Sequence, residues 1–156
     1  MKKVIVKGEA CTLTLGQRLG QLLQANDVLV LEGDLGAGKT TFTKGIAMGL
    51  GVKRIVNSPT FTIMKQYQGA KLPLYHFDVY RLANSEEDFG FDEFFYGSGV
   101  TIVEWAHLIQ SQLPDQLLEV QIAYASDDSR MYSFIAKGAR YETLLKELSF
   151  DECAGD

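Results

Sequence analysis

The residues Gly33-Asp-Leu-Gly-Ala-Gly-Lys-Thr40 have the types and spacing of G-x-x-x-x-G-K-[ST], a pattern that holds phosphate. Gly33, Gly36 and Gly38 let the backbone take positive φ and come close to an anion. The consecutive N–H groups of Asp34, Leu35, Gly36, Ala37 and Gly38 then turn inward, and a helix starting near Lys39 adds its positive end. Lys39 reaches the β- and γ-phosphates, and the Thr40 hydroxyl ligates Mg²⁺. The chemistry these residues suggest is binding and cleavage of a nucleoside triphosphate.

Such a site needs a further carboxylate, because Mg²⁺ takes octahedral oxygen ligands and keeps several of its waters. In open α/β sheets, ligands gather at the carboxyl ends of the strands. Two acids end apolar runs, Asp78 and Glu104, and Glu104 follows the cleaner run, Thr101-Ile-Val103. One would serve the metal, and the other could orient the attacking water. Order within the pair stays open on these grounds. The loop Ser58-Pro-Thr-Phe-Thr62 crowds hydroxyls around Pro59, as in loops that sense a γ-phosphate or its metal. His76 and His107 lie near the two acids and read as simple hydrogen-bonding groups. Trp105, the one tryptophan, directly follows Glu104.

These residues need elements to hold them. Val28–Leu31 is a short apolar run of the kind a buried parallel strand shows. After the glycine turn, Phe42, Ile46 and Leu50 recur at helical spacing, and Gly49 and Gly51 end that helix. Lys3–Lys7 reads as an edge strand. Thr12–Gln24 reads as a helix with the stripe Leu15, Leu19, Leu22 and Leu23. Further strands are expected over 61–66, 72–78 and 100–105. A short helix is expected from Ser85, with Phe91, Phe94 and Phe95 on the next apolar turn, and a helix over 106–113 stopped by Pro114. The strands 117–124 and 131–136 flank the turn Asp127-Asp-Ser129 and form a hairpin. A helix over 141–148 precedes a polar tail that frays from about residue 150. The expected fold is one α/β P-loop domain spanning 1–156. It has three layers, α/β/α, and a mixed, mainly parallel sheet with an antiparallel C-terminal hairpin.

The chain is long enough to bury one real core. No apolar run approaches the ~18 residues that span a membrane, and Met1–Lys7 reads as a strand and not as a signal peptide. Cys11 and Cys153 lack metal-ligand spacing and read as free thiols of a cytoplasmic protein. A net charge of −5 argues against a free-standing nucleic-acid binder, which usually carries a basic excess.

Four motifs occur together in order: Gly-Asp-Leu-Gly-Ala-Gly-Lys-Thr-Thr at 33–41, Ser-Pro-Thr-Phe-Thr at 58–62, His-Phe-Asp-Val-Tyr-Arg at 76–81 and Val-Glu-Trp at 103–105. In this combination the chain resembles the TsaE family across nearly its whole length. That family comprises the small bacterial ATPases needed to make N6-threonylcarbamoyladenosine at position 37 of tRNAs that read codons beginning with A. The resemblance implies ATP and Mg²⁺ as ligands. It implies nucleotide contacts from residues 34–41, including Thr41, and from the loop bearing Thr60. Glu104 becomes the acidic Mg²⁺ partner beside Thr40, Asp78 a group needed for hydrolysis, and Trp105 a support of the nucleotide site. Glu9–Thr12, ahead of the first helix, fall where relatives approach the adenine, and Arg130 falls where they place residues near the nucleotide. The resemblance also implies the TsaD–TsaB heterodimer as partner, with tRNA reached only through that complex and no membrane involved.

Two other readings use the same P-loop. A small-molecule kinase needs a second substrate pocket and a basic lid, whereas Arg81 and Arg130 are isolated and residues 84–96 are acidic. A nucleotide-operated switch that reads guanine needs Asn-Lys-x-Asp, which is absent. The acidic, aromatic stretch Glu86–Tyr96 is instead a plausible docking surface for the partner.

Overall fold

The strand β2 (Val28–Glu32) lies at the centre of a seven-stranded sheet, and every apolar residue in it is buried. The computed structural model describes residues 1–33, 38–53, 64–79 and 92–148. The expected loop around Pro59, the helix from Ser85, Phe91, Cys153 and the polar tail lie outside them. In chain order the described elements are β1 (Lys2–Lys7), α1 (Gly8–Leu22), β2, α2 (Lys39–Gly49), β3 (Met64–Gln68) and β4 (Pro73–Asp78). They continue with α3 (Asp92–Phe95), β5 (Val100–Glu104), a 3₁₀ segment (Ala106–Gln112), β6 (Leu117–Ser126), β7 (Ser129–Lys137) and α4 (Ala139–Glu147).

The strand order is β1-β7-β6-β2-β5-β4-β3. β6, β2, β5 and β4 run parallel, while β1, β7 and β3 pair antiparallel at the edges. The mixed sheet and the hairpin β6–β7 therefore follow the sequence expectation. Strand alternation splits the core in two. Leu29, Leu31, Ile102 and Leu118 pack with Leu15, Leu19, Phe42, Ile46 and Leu144 from the helices α1, α2 and α4. Val28, Val30, Phe77, Val103 and Leu117 pack on the opposite face with Phe95, Ala106 and Leu113 from shorter segments. Among the described residues, no helix is long and apolar enough to cross a membrane.

α1 begins at Gly8, four residues before its expected start, so Glu9–Thr12 form its first turn and do not precede it. The expected start followed the leucine stripe, which begins only at Leu15, whereas β-branched Thr12 and Thr14 are mediocre helix formers. Their hydroxyls bond back to the carbonyls of Gly8 (3.1 Å) and Ala10 (3.0 Å), which accommodates them inside the helix. Gly8, at φ 81°, turns the chain directly out of β1.

α1 and α2 lie side by side, pointing the same way. Gly16 faces Gly45, and Gly20 faces Gly49. A methyl group on Gly16, Gly20, Gly45 or Gly49 would meet a backbone carbonyl oxygen of the other helix at 2.2–2.6 Å. Backbone thus packs directly on backbone. Carried toward the N-termini, the same offset sets Glu9–Thr12 level with Gly38–Thr41.

The far end of the sheet is closed by polar contacts. Arg140 donates to both Asp27 carboxylate oxygens (3.1 and 2.8 Å) and to the Leu22 carbonyl (2.9 Å). The Tyr141 hydroxyl accepts the Val28 N–H at 2.9 Å, fixing where β2 begins.

Candidate functional site

Lys39 is the first residue of α2, preceded by Gly38 in the left-handed region at φ 103°. A side chain at that φ would be strained, which is why the sequence needs glycine there. The lysine is 6% exposed. Its ammonium lies 3.8 Å from Glu104 Oε1 and 4.5 Å from the centre of the Trp105 ring. A buried ammonium held by one carboxylate and one aromatic face remains available to a stronger anion.

Glu104 ends β5 next to Leu31 of β2 on one side and Asp78 of β4 on the other. Alternation puts Glu104, Asp78 and His76 on the face that carries α2, in register with Ile102, Leu74 and Leu31. Glu32 also ends a strand, but it has the parity of Val28 and Val30 and faces the other way. Its carboxylate accepts the His107 backbone N–H (3.1 Å) and contacts His107 Nδ1 (3.0 Å). These bonds brace the turn in which Trp105 takes a left-handed backbone (φ 62°, ψ 31°). That turn swings the indole over Lys39. Trp105 thus has two sets of contacts: its ring lies over Lys39, and its part-buried side chain packs against the core cluster that includes Phe77 and Val103.

Of the carboxylates expected to act, both Asp78 and Glu104 are buried at adjacent strand ends. Thr40 and Thr41 occupy the first turn of α2, and Thr40 is part-exposed. Asp34, Leu35, Gly36, Ala37 and Thr60 lie outside the described residues. The donor set that remains fits Mg²⁺ by its chemistry: a hydroxyl on Thr40 and a carboxylate on Glu104 are hard oxygen ligands. Among the described residues no group of three His, Cys, Asp or Glu side chains gathers for a metal. A cation here would rely on phosphate and water for its remaining ligands, as P-loop Mg²⁺ does.

The two weaker candidates, Glu9–Thr12 and Arg130, are drawn together by a residue that sequence reasoning passed over. Tyr132, in β7, packs edge-on to Phe42 with ring centres 5.2 Å apart. Among the described residues its hydroxyl is buried without a well-aligned hydrogen-bond partner, and it would lie 3.6 Å from a Cβ on Gly38. Thr12 and Arg130 are both close enough to lower its pKa slightly. Arg130 donates to the Ser126 and Ser129 carbonyls (3.0 and 2.9 Å) and stacks 4.5 Å over the Tyr124 ring. The signal for Tyr132 was its place two residues after Arg130 on the same strand, hence on the same side of the sheet.

Burial pushes the Tyr132 phenol up to about 12, outweighing Thr12 and Arg130. Its stabilising effect is complete below pH 10, where the unfolded phenol is also neutral. It is lost as pH rises from 10 towards 12, because only the unfolded chain then gains by ionising. Between pH 9 and pH 11, native stability should fall by about 1.4 kcal/mol more in the parent chain than in Tyr132→Phe. Urea unfolding of both proteins at the two pH values measures this. An equal fall in both would remove Tyr132 from the alkaline transition.

The surroundings of the site match known proteins over most of the chain. Residues 6–132 match the family model described as threonylcarbamoyl adenosine biosynthesis protein TsaE. The chain belongs to the TsaE family. The tRNA threonylcarbamoyladenosine biosynthesis protein TsaE of Bacillus subtilis is 57% identical over 138 residues, covering 88% of this chain and 87% of that protein. Its namesake in Treponema pallidum is 44% identical over 121 residues, covering 76% of this chain and 89% of that one. A crystal structure of Bacillus subtilis YdiB superposes with a TM-score of 0.83 at 49% identity, over 94% of this chain and 93% of that one. The α/β fold and the TsaE assignment drawn from the four motifs are thereby secured. The family is one of tRNA threonylcarbamoyladenosine biosynthesis proteins.

Proposed function

We propose that this TsaE chain is a Mg²⁺-dependent ATPase. It would act with the TsaD–TsaB heterodimer in forming the threonylcarbamoyl group on adenosine 37 of tRNAs reading codons that begin with A. The observation that carries this reading is Lys39 at the head of α2, facing Glu104 at the end of the adjacent strand β5. In this reading Lys39 exchanges its contact with Glu104 for the phosphates, and Thr40 and Glu104 hold the cation. Mg²⁺, when bound, neutralises charge developing on the transferred phosphoryl group. Asp78, next to Glu104, orients or deprotonates the attacking water. Trp105 covers the lysine and keeps water from its charge. The tRNA is reached through the partner complex, which is consistent with a net charge of −5.

Among the described residues, no arginine contacts Lys39 or Glu104 through a hydrogen bond or ion pair. A group of that kind is worth ~10³–10⁵ in rate, so the isolated chain should be a slow ATPase that TsaD–TsaB accelerates. The partner surface sought in Glu86–Tyr96 needs one correction. Phe95 is 1% exposed, and Phe94 packs edge-on against Tyr75 and Phe77 at 5.0 and 5.3 Å. Phe95 is a core residue and Phe94 is partly buried against the core, while Tyr96 is 66% exposed. Residues 86–91 lie outside the described part of the chain.

Steady-state ATP hydrolysis and equilibrium binding of Mg·ATP, each with and without TsaD–TsaB, test the proposal on the parent, Glu104→Ala and Asp78→Ala. Glu104→Ala should weaken Mg²⁺-dependent binding, and Asp78→Ala should lose turnover with binding largely kept. The reverse pattern would swap the two roles. An isolated chain already turning over tens of ATP per second, unaffected by the heterodimer, would end the partner-activation idea.

A further inference from the structure

We propose that His76 is a positioning residue for Glu104; this rests on reading Glu104 as the acidic group of a Mg²⁺–nucleotide site. His76 Nε2 lies 2.5 Å from Glu104 Oε2, and the ring is wholly buried. The other carboxylate oxygen, Oε1, is the one that faces Lys39. The two oxygens of one carboxylate thus have separate partners. The imidazole is fixed by its strand, whereas the ammonium sits on a flexible four-carbon stem.

The difference matters when the lysine moves. An anion at the head of α2 would draw the Lys39 ammonium away, and Oε1 would lose its partner. With nothing on Oε2, the carboxylate could rotate about its terminal torsion, which is soft. The short bond from Nε2–H fixes Oε2, so Oε1 stays aimed at the space Lys39 vacates. The donation also settles the tautomer. Nε2–H is the donor, and Nδ1 is buried with no hydrogen-bond partner among the described residues. A buried polar atom without a partner costs stability. A core position next to Leu74 and Ile102 would be filled more favourably by an apolar side chain unless the ring served Glu104. The sequence could not distinguish this role, since a histidine two residues before a strand-end acid is as readily a packing group.

Outer partners that orient metal-binding groups typically alter affinity by about 10–100-fold. The test compares three full-length proteins: parent, His76→Leu and His76→Gln. Glutamine places its amide as many bonds from Cβ as Nε2 and can donate the same hydrogen bond, whereas leucine cannot. The probe is a non-hydrolysable ATP analogue, titrated calorimetrically at a series of Mg²⁺ concentrations and again without Mg²⁺, with circular dichroism as a check on the fold.

The expected result is a Mg²⁺ requirement raised about tenfold in His76→Leu, unchanged affinity without Mg²⁺, and recovery to within about threefold in His76→Gln. If the leucine variant does not fold, His76→Asn replaces it, with an amide one bond short of Glu104. Equal losses with and without Mg²⁺ would assign His76 to packing alone and overturn the role. So would a glutamine variant as impaired as the leucine one, or a leucine variant indistinguishable from the parent. A parent protein that binds the analogue identically with and without Mg²⁺ would overturn the reading of Glu104 itself, and the role of His76 with it. That outcome is recognised before any variant is examined.

Discussion

Replacing Lys39 by alanine should lower Mg·ATP turnover by about 10²–10³, the usual loss when one preorganised donor to developing negative charge is removed. Lys39 sits where α2 begins, and among the described residues its ammonium meets the Glu104 carboxylate and the Trp105 face. Neither is a tight contact, so the charge is poised for an anion. Stability should change far less. The variant leaves Glu104 without a cation, but His76 still occupies Oε2. Lys39→Met keeps the apolar stem under Trp105 and separates the two effects: packing restored, charge absent. Equal loss of turnover in both variants, with thermal midpoints close to the parent's, is the expected outcome. Full activity in Lys39→Met would remove the phosphate-binding role.

The second large effect is structural. Gly20→Val or Gly49→Val should destabilise the chain by about 3 kcal/mol or more, at the upper end of overpacking costs. A Cβ on Gly20 would stand 2.3 Å from the Ile46 carbonyl oxygen, and one on Gly49 2.2 Å from that of Gln17. Backbone cannot give way as a side-chain tip can. α1 and α2 would have to part, withdrawing Leu15, Leu19, Phe42 and Ile46 from their shared core. For a domain of this size the thermal midpoint should fall by about 6–12 °C. Gly8→Ala is the contrasting case: open space surrounds it, and only its positive φ is strained, at about 1–2 kcal/mol. Calorimetry of the three variants checks the order, and a valine at Gly20 that leaves the midpoint unchanged would show that the helices can separate without loss.

What could be read in the sequence divides along physical lines. Local rules found the strand Val28–Leu31, the helix from Lys39 and the hairpin turn at Asp127-Asp128, because apolar runs and turn residues act over a few positions. They also found Asp78 and Glu104, since strand ends collect ligands. Parity decided what they left open: Glu32 ends a strand as cleanly but points to the other face, with His107. The close approach of α1 and α2 was written in Gly16, Gly20, Gly45 and Gly49, yet only pairing across 29 positions gives those glycines a meaning. Tyr132 was passed over, and His76 was read only as a simple hydrogen-bonding group, for the same reason. Each acts through a partner distant in sequence, and neither type is diagnostic alone. The start of α1 was misplaced because threonine hydroxyls can satisfy a helix from within.

The glycine contact between α1 and α2 has an electrostatic consequence as well as a steric one. Parallel helices bring like poles together, and each N-terminus carries roughly half a positive charge. Packed backbone to backbone, the two helices carry their amino ends toward one corner of the sheet, near Gly38 and Lys39. Like poles held side by side repel each other. An anion seated there is attracted by both helices at once, and its arrival relieves a repulsion that the glycines impose. The interface that makes the core tight thereby also gathers positive potential where an anion would sit.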